Sequence, residues 1–184
     1  MSSKKPGNLL NYTKRIALVA VFSAMLTGAK FVLSWIPNVE IVTLLIAVFA
    51  YSYGLEYAMP AATVFSFTEI LLYGFGYWVI SYFIHWNALV FAVCILKYKG
   101  VKSEYIYTFA IAIITFLFGL LSSFIDVSLS GGFKNFGERF LTYYIAGTVF
   151  YIIHIASNSV LMIILFKPLT DIALKMKERY LNSI

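Results

Sequence analysis

The chain is poor in almost everything that a soluble active site uses. Charged residues fill 12% of its 184 positions, hydrophobic residues 61%, and the mean hydropathy is +0.87. A soluble domain cannot keep that much apolar side chain from water, whereas a lipid-facing bundle has no need to. The single cysteine, Cys94, excludes an intrachain disulfide. His85 and His154 are the only histidines, neither has an acidic pair at metal-ligand spacing, and no metal or other cofactor is expected. A G-x-x-x-x-G-K-S/T phosphate loop is missing, which argues against nucleotide hydrolysis by this chain, and so are H-E-x-x-H and G-x-S-x-G motifs. There is no repeat of solenoid length and no low-complexity run.

What is present is six apolar stretches, near 15–36, 41–57, 58–73, 77–97, 104–126 and 139–167. A spanning helix needs roughly 20 mostly apolar residues, and these runs lack the alternating polarity of barrel strands. The expectation is therefore an all-α integral membrane protein, a single six-helix domain over 1–184. Residues 1–14 form a short tail before it and 168–184 an amphipathic tail after it. The second and third runs are separated only by residues 54–60, and Pro60 suits a first helical turn. The first run follows Lys14-Arg15 and is too long for a signal-peptide core, so it reads as a retained helix.

Basic residues set the expected orientation. Lys4, Lys5, Lys14 and Arg15 precede the first span, Lys97, Lys99 and Lys102 lie between the fourth and fifth, and Lys167, Lys175, Lys177 and Arg179 follow the sixth. Lys134 and Arg139 alone fall between spans on the other side. This asymmetry puts both termini in the cytoplasm of a multi-pass cell-membrane protein. The net charge of +6 is then mostly topological, and no nucleic-acid partner is expected. In the tail, Leu169, Ile172, Ala173, Met176 and Tyr180 oppose Lys175, Lys177 and Arg179, a pattern suited to anionic lipid at the inner surface.

Polar groups inside spans are costly, so each needs a reason. In the first span Ala17, Ala20, Ala24 and Gly28 share one narrow sector that permits close approach of another helix, while Lys30 points about 120° away. Glu69 in the third span lies at the depth of Lys30, near Ser66 and Tyr73, and an internal Lys30–Glu69 pair is one reading of both residues. The fourth span aligns Trp78, Ser81, Tyr82 and His85. The fifth aligns Thr115, Gly119, Ser122, Ser123 and Asp126, and the sixth Tyr144, Gly147, Tyr151, His154 and Asn158. Asn158 suits ordinary interhelical hydrogen bonding. Together these stripes fit a largely apolar pocket with sparse polar anchors, facing outward. Asn38 and Glu40 in the first external loop are placed to reach over its mouth, Gly74 to Tyr77 reads as a hinge, and Ser128 to Glu138 as a lid.

The chain resembles the substrate-binding S components of energy-coupling factor (ECF) vitamin transporters over nearly its full length. The resemblance is carried by the Arg15-initiated first helix with Ala20-xxx-Ala24, by Ile36-Pro37-Asn38-Val39-Glu40-Ile41-Val42-Thr43, and by Tyr73-Gly74-Phe75-Gly76-Tyr77-Trp78. His154-Ile155-Ala156-Ser157-Asn158 and Phe166-Lys167-Pro168-Leu169 complete it. It implies a non-catalytic subunit of a bacterial plasma-membrane importer that binds a vitamin or related micronutrient from outside and topples in the bilayer to deliver it. It also implies a transmembrane T component and two cytoplasmic ATPases as partners, with Ala20, Ala24 and Gly28 on the T-component face. Pocket residues vary within the family, so the expected substrate contacts come from the stripes: Lys30, Asn38, Glu40, Glu69, Trp78, Tyr82, His85, Asp126, Tyr144, Tyr151 and His154. A cobalamin-type or other large ring-bearing vitamin is the ligand that the resemblance favours. The alternatives are a stand-alone proton-coupled transporter relaying through Glu69 or Asp126, an intramembrane enzyme with His85 or His154 as base, and an assembly factor that binds no small ligand.

Overall fold

The computed structural model describes residues 6–37 and 39–181, with 6–11 and 181 described by backbone alone. Every regular element among them is a helix: α1 Pro6–Leu33, α2 Val42–Tyr53, α3 Leu55–Tyr73, α4 Trp78–Tyr98, α5 Glu104–Gly131 and α6 Phe136–Leu181. Segments of α1, α4, α5 and α6 are long and apolar enough to cross a membrane, whereas α2 is a shorter apolar helix. This is a helical bundle compatible with a membrane.

Helix α2 is its axis. The helix is apolar on all sides, which stabilises it only if every side is covered. Accordingly ten of its twelve residues are buried, and α1, α3, α4 and α6 all pack against it. α5 lies on the outside between α4 and α6, and α1 docks chiefly on α3. The core gathers Phe22 and Leu26 of α1, Phe65 of α3, Trp86, Leu89 and Val90 of α4, Tyr107 and Ile111 of α5, and Met162 and Phe166 of α6 around α2.

A helix buried this deeply must find partners for its terminal backbone groups within the protein. Gly54, at φ 85, breaks the chain after Tyr53 in a conformation that L side chains rarely adopt, which strips the last carbonyls of α2 of their helical donors. Two lysines supply donors instead. Lys97 of α4 donates to the Tyr51 carbonyl, and Lys177 of α6 donates to that of Ser52 at 3.0 Å. Positive charge there also suits the helix dipole. Two of the basic residues that count toward topology thus cap a buried helix.

Several boundaries differ from the sequence reading. Helix α3 begins at Leu55, so Pro60 sits inside it rather than in its first turn. Proline has no N–H for the carbonyl four residues back. That carbonyl, of Glu56, accepts from Arg15 Nη2 at 3.0 Å, and Arg15 Nη1 lies 3.4 Å from Glu56 Oε2. Helix α1 starts at Pro6, within the expected N-terminal tail. Helix α6 runs unbroken through Pro168, so 168–181 continue the helix instead of forming a separate tail. Its amphipathic face is divided: Ala173 is buried and Leu169 packs on the core, while Ile172 and Met176 stay exposed. The expected lid over 128–138 is mostly helical as well. Only 132–135 form the α5–α6 turn, held by Arg139, which donates to the carbonyls of Gly132 at 3.0 Å and Val127 at 2.9 Å.

Candidate functional site

A cleft of about 460 Å³ lies where α1 ends, α2 begins, and α3 turns into α4. Lys30 enters it from α1. Its ammonium pairs with Glu69 of α3 and donates to the Tyr82 hydroxyl of α4 at 3.2 Å. The rings of Tyr82, Tyr73 and Trp78 stand 4.8, 5.1 and 5.7 Å from the same nitrogen, within cation–π range. The Glu69 carboxylate is buried, and its second oxygen, Oε1, has no hydrogen-bond partner among the described residues. The pairing reading of Lys30 and Glu69 is what the structure displays, and it leaves Lys30, not Glu69, on the cleft wall.

The opposite wall is built around Glu40. This residue stands two positions before α2, where a carboxylate satisfies free N–H groups and meets the positive end of the dipole. It accepts from the Thr43 N–H at 3.3 Å and from the Thr43 hydroxyl. His154 Nε2 of α6 lies 3.2 Å from Glu40 Oε1. Behind this pair, Asn158 donates to the hydroxyls of Thr43 at 3.3 Å and Thr115 at 3.4 Å, tying α6 to α2 and α5 as expected of an interhelical amide.

Of the residues singled out from sequence, Lys30, Glu40, Trp78, Tyr82 and His154 line the cleft, with Glu69 directly behind Lys30. His85 does not line it. The imidazole is buried against Trp86 and Phe118, at ring distances of 4.5 and 4.6 Å, and Nε2 has no partner among the described residues. Tyr151 is a packing residue: its ring covers Gly119 of α5 and Gly147 of α6 so closely that a Cβ on either would lie under 3.0 Å away. Its hydroxyl meets Ser123 at 2.9 Å. Tyr144 stacks on Tyr151 and Phe140, and Asp126 accepts from Tyr143 at 3.0 Å. The polar stripes of α5 and α6 therefore face each other over much of their length, and the cleft does not include Tyr144, Tyr151 or Asp126. Asn38 lies outside the described residues.

Among the wall residues absent from the expected contacts are two aromatics, Trp86 and Phe118. Trp86 is about 40° round α4 from Tyr82, and Phe118 flanks Thr115 and Ser122 on α5. Neither stands out by polarity, although both fall beside the polar stripes by the same helical arithmetic.

Away from the cleft, α1 turns Ala20, Ala24 and Gly28 outward, all exposed, and a Cβ at Gly28 would meet nothing within 4 Å. No protein-family model matches the chain, and neither a curated protein nor a solved structure matches it.

Proposed function

We propose that this chain is the substrate-binding S component of an ATP-driven ECF-type importer in a bacterial plasma membrane. In this reading both termini are cytoplasmic and the cleft opens outward. A transmembrane T component and two cytoplasmic ATPases supply the work, and toppling of the bundle carries the ligand inward. The observation that carries the reading is the division of α1 into two faces. One delivers Lys30 to a cleft in the size range of small-ligand pockets. The other leaves Ala20, Ala24 and Gly28 uncovered, small enough for a second helix to approach closely. A volume of about 460 Å³ favours a micronutrient of one or two fused rings over the larger cobalamin-type ligand.

The test is uptake by proteoliposomes. The chain together with its T component and ATPases accumulates its vitamin against a gradient when ATP is supplied, and the chain alone does not. Accumulation by the chain alone, abolished by an uncoupler and by Glu69→Gln, would establish the proton-coupled alternative. The unpartnered oxygen of buried Glu69 is the feature that favours that rival.

A further inference from the structure

The ionisable groups of the cleft are distributed unevenly. Lys30 is the one permanent cation among its described lining residues, and Glu69 behind it already balances that charge. Glu40 then remains as an uncompensated carboxylate when His154 is neutral; a protonated His154 does no more than cancel it. In neither state does the cleft hold surplus positive charge.

Taking the cleft to be the substrate site as above, we propose that its ligand is a flat nitrogen heterocycle, neutral or cationic, that offers an N–H donor to Glu40, and that anionic ligands are rejected.

Glu40 has room for such a donor. A carboxylate has about four lone-pair directions. Among the described residues, Oε1 receives the Thr43 hydroxyl and His154, whereas Oε2 receives only the Thr43 N–H. These partners leave one direction on Oε2 open, and 17% of the side chain is exposed. The walls ask for a flat body: Tyr73, Trp78, Tyr82, Trp86 and Phe118 all line the cleft, and aromatic faces favour stacked or edge-on rings. Those faces are also electron-rich and attract cations. An anion of the same size would lose its hydration only to meet Glu40 and the negative faces of the rings, with no unpaired cation to offset that cost.

Trp78 and Trp86 give the test its signal, because both line the cleft while Trp35, 88% exposed, is removed by Trp35→Phe. Quenching of their fluorescence is titrated in the purified, detergent-solubilised full chain with diaminopyrimidine and with orotate, an anionic pyrimidine of similar size. The expected result is that diaminopyrimidine binds at least about tenfold more tightly, the factor a charge-assisted hydrogen bond confers. Glu40→Gln is expected to remove that preference. Orotate binding as tightly as diaminopyrimidine, no binding of diaminopyrimidine at millimolar concentration, or a preference unchanged in a folded Glu40→Gln protein would overturn the assignment. If the variant fails to fold, the unsubstituted cleft decides through its own ranking of the two probes. A cleft that prefers orotate leaves the importer reading intact, and gradient-driven accumulation by the chain alone defeats that reading without altering the probe ranking.

Discussion

Lys30 and Glu69 join α1 to α3 through an ion pair whose carboxylate is buried and whose ammonium is enclosed by three aromatic rings. The pair stands at the edge of the cleft, so the charge that shapes one wall also fixes the spacing of two helices.

Removing one member leaves the other charge stranded. For fully buried pairs that costs about 3–5 kcal/mol, and solvent screening at Lys30, whose side chain is 26% exposed, brings the expected cost to about 2–3 kcal/mol. Glu69→Gln and Lys30→Met should each lower the thermal midpoint in detergent. The combined Lys30→Met, Glu69→Met protein should recover part of the loss. Additive losses in the combined protein would show that the two side chains act independently.

The outward face of α1 predicts a separation of stability from transport. Ala20 and Ala24 are exposed, so Ala20→Trp and Ala24→Trp place their indoles on the outer surface of the bundle. Thermal midpoint and probe binding are expected to match those of the parent. Under the importer proposal, co-purification with a T component and ATP-driven uptake should be lost, because the new indoles hold the second helix away. Intact co-purification and uptake in both variants would assign this face to lipid.

Sequence alone revealed the helices but not how they nest. Hydropathy marks α2 as apolar, and only packing shows that its twelve residues are wrapped by four other helices. Lys30, Glu69 and His154 were legible because an ionisable group in an apolar run is conspicuous. Tyr144, Tyr151 and Asp126 stood out for a related reason and lie outside the cleft: a polar stripe marks an interhelical face equally whether ligand or another helix covers it. Gly119 and Gly147 sat in those stripes, and a pair of glycines on facing helices is a signal of close contact rather than of a cavity. Trp86 and Phe118 escaped because aromatic side chains are ordinary in membrane helices. The usual rule puts Pro60 in a first helical turn, and Arg15 at the Glu56 carbonyl is a compensation that local sequence does not display.

The capping of α2 makes a further prediction. Glu40 meets its N-terminus, and Lys97 and Lys177 meet its C-terminus, so each end faces the charge opposite to its dipole. Lys97→Met or Lys177→Met would leave a backbone carbonyl unsatisfied within the bundle. Each is expected to cost about 1–2 kcal/mol in detergent unfolding experiments. Lys177→Arg, which keeps a donor and the charge, should cost less than Lys177→Met. Equal losses for Arg and Met would mean that packing of the stem, not the hydrogen bond to Ser52, is what Lys177 contributes.

The turn from α3 to α4 sets the position of Trp78. The indole folds back over Gly76 so closely that a Cβ there would lie 2.5 Å from Trp78 Nε1, a separation that real Cβ atoms do not adopt. Gly76→Ala must therefore displace the ring from Lys30 and from Tyr82, with which it makes an edge contact at 5.0 Å. A displaced Trp78 no longer stacks on the heterocycle, and a ring–ring contact worth about 1 kcal/mol is enough to weaken binding several-fold, up to about tenfold. Global stability should change little, because Gly76 lies in a surface turn outside the core cluster. Titration of a Trp35→Phe background with diaminopyrimidine measures the affinity, and thermal unfolding the stability; the combined emission maximum of Trp78 and Trp86 should move as the surroundings of Trp78 become wetter. A Gly76→Ala protein that keeps the parent's affinity and emission maximum would show that the turn can yield without moving Trp78, and that this ring is not held in place by the glycine beneath it.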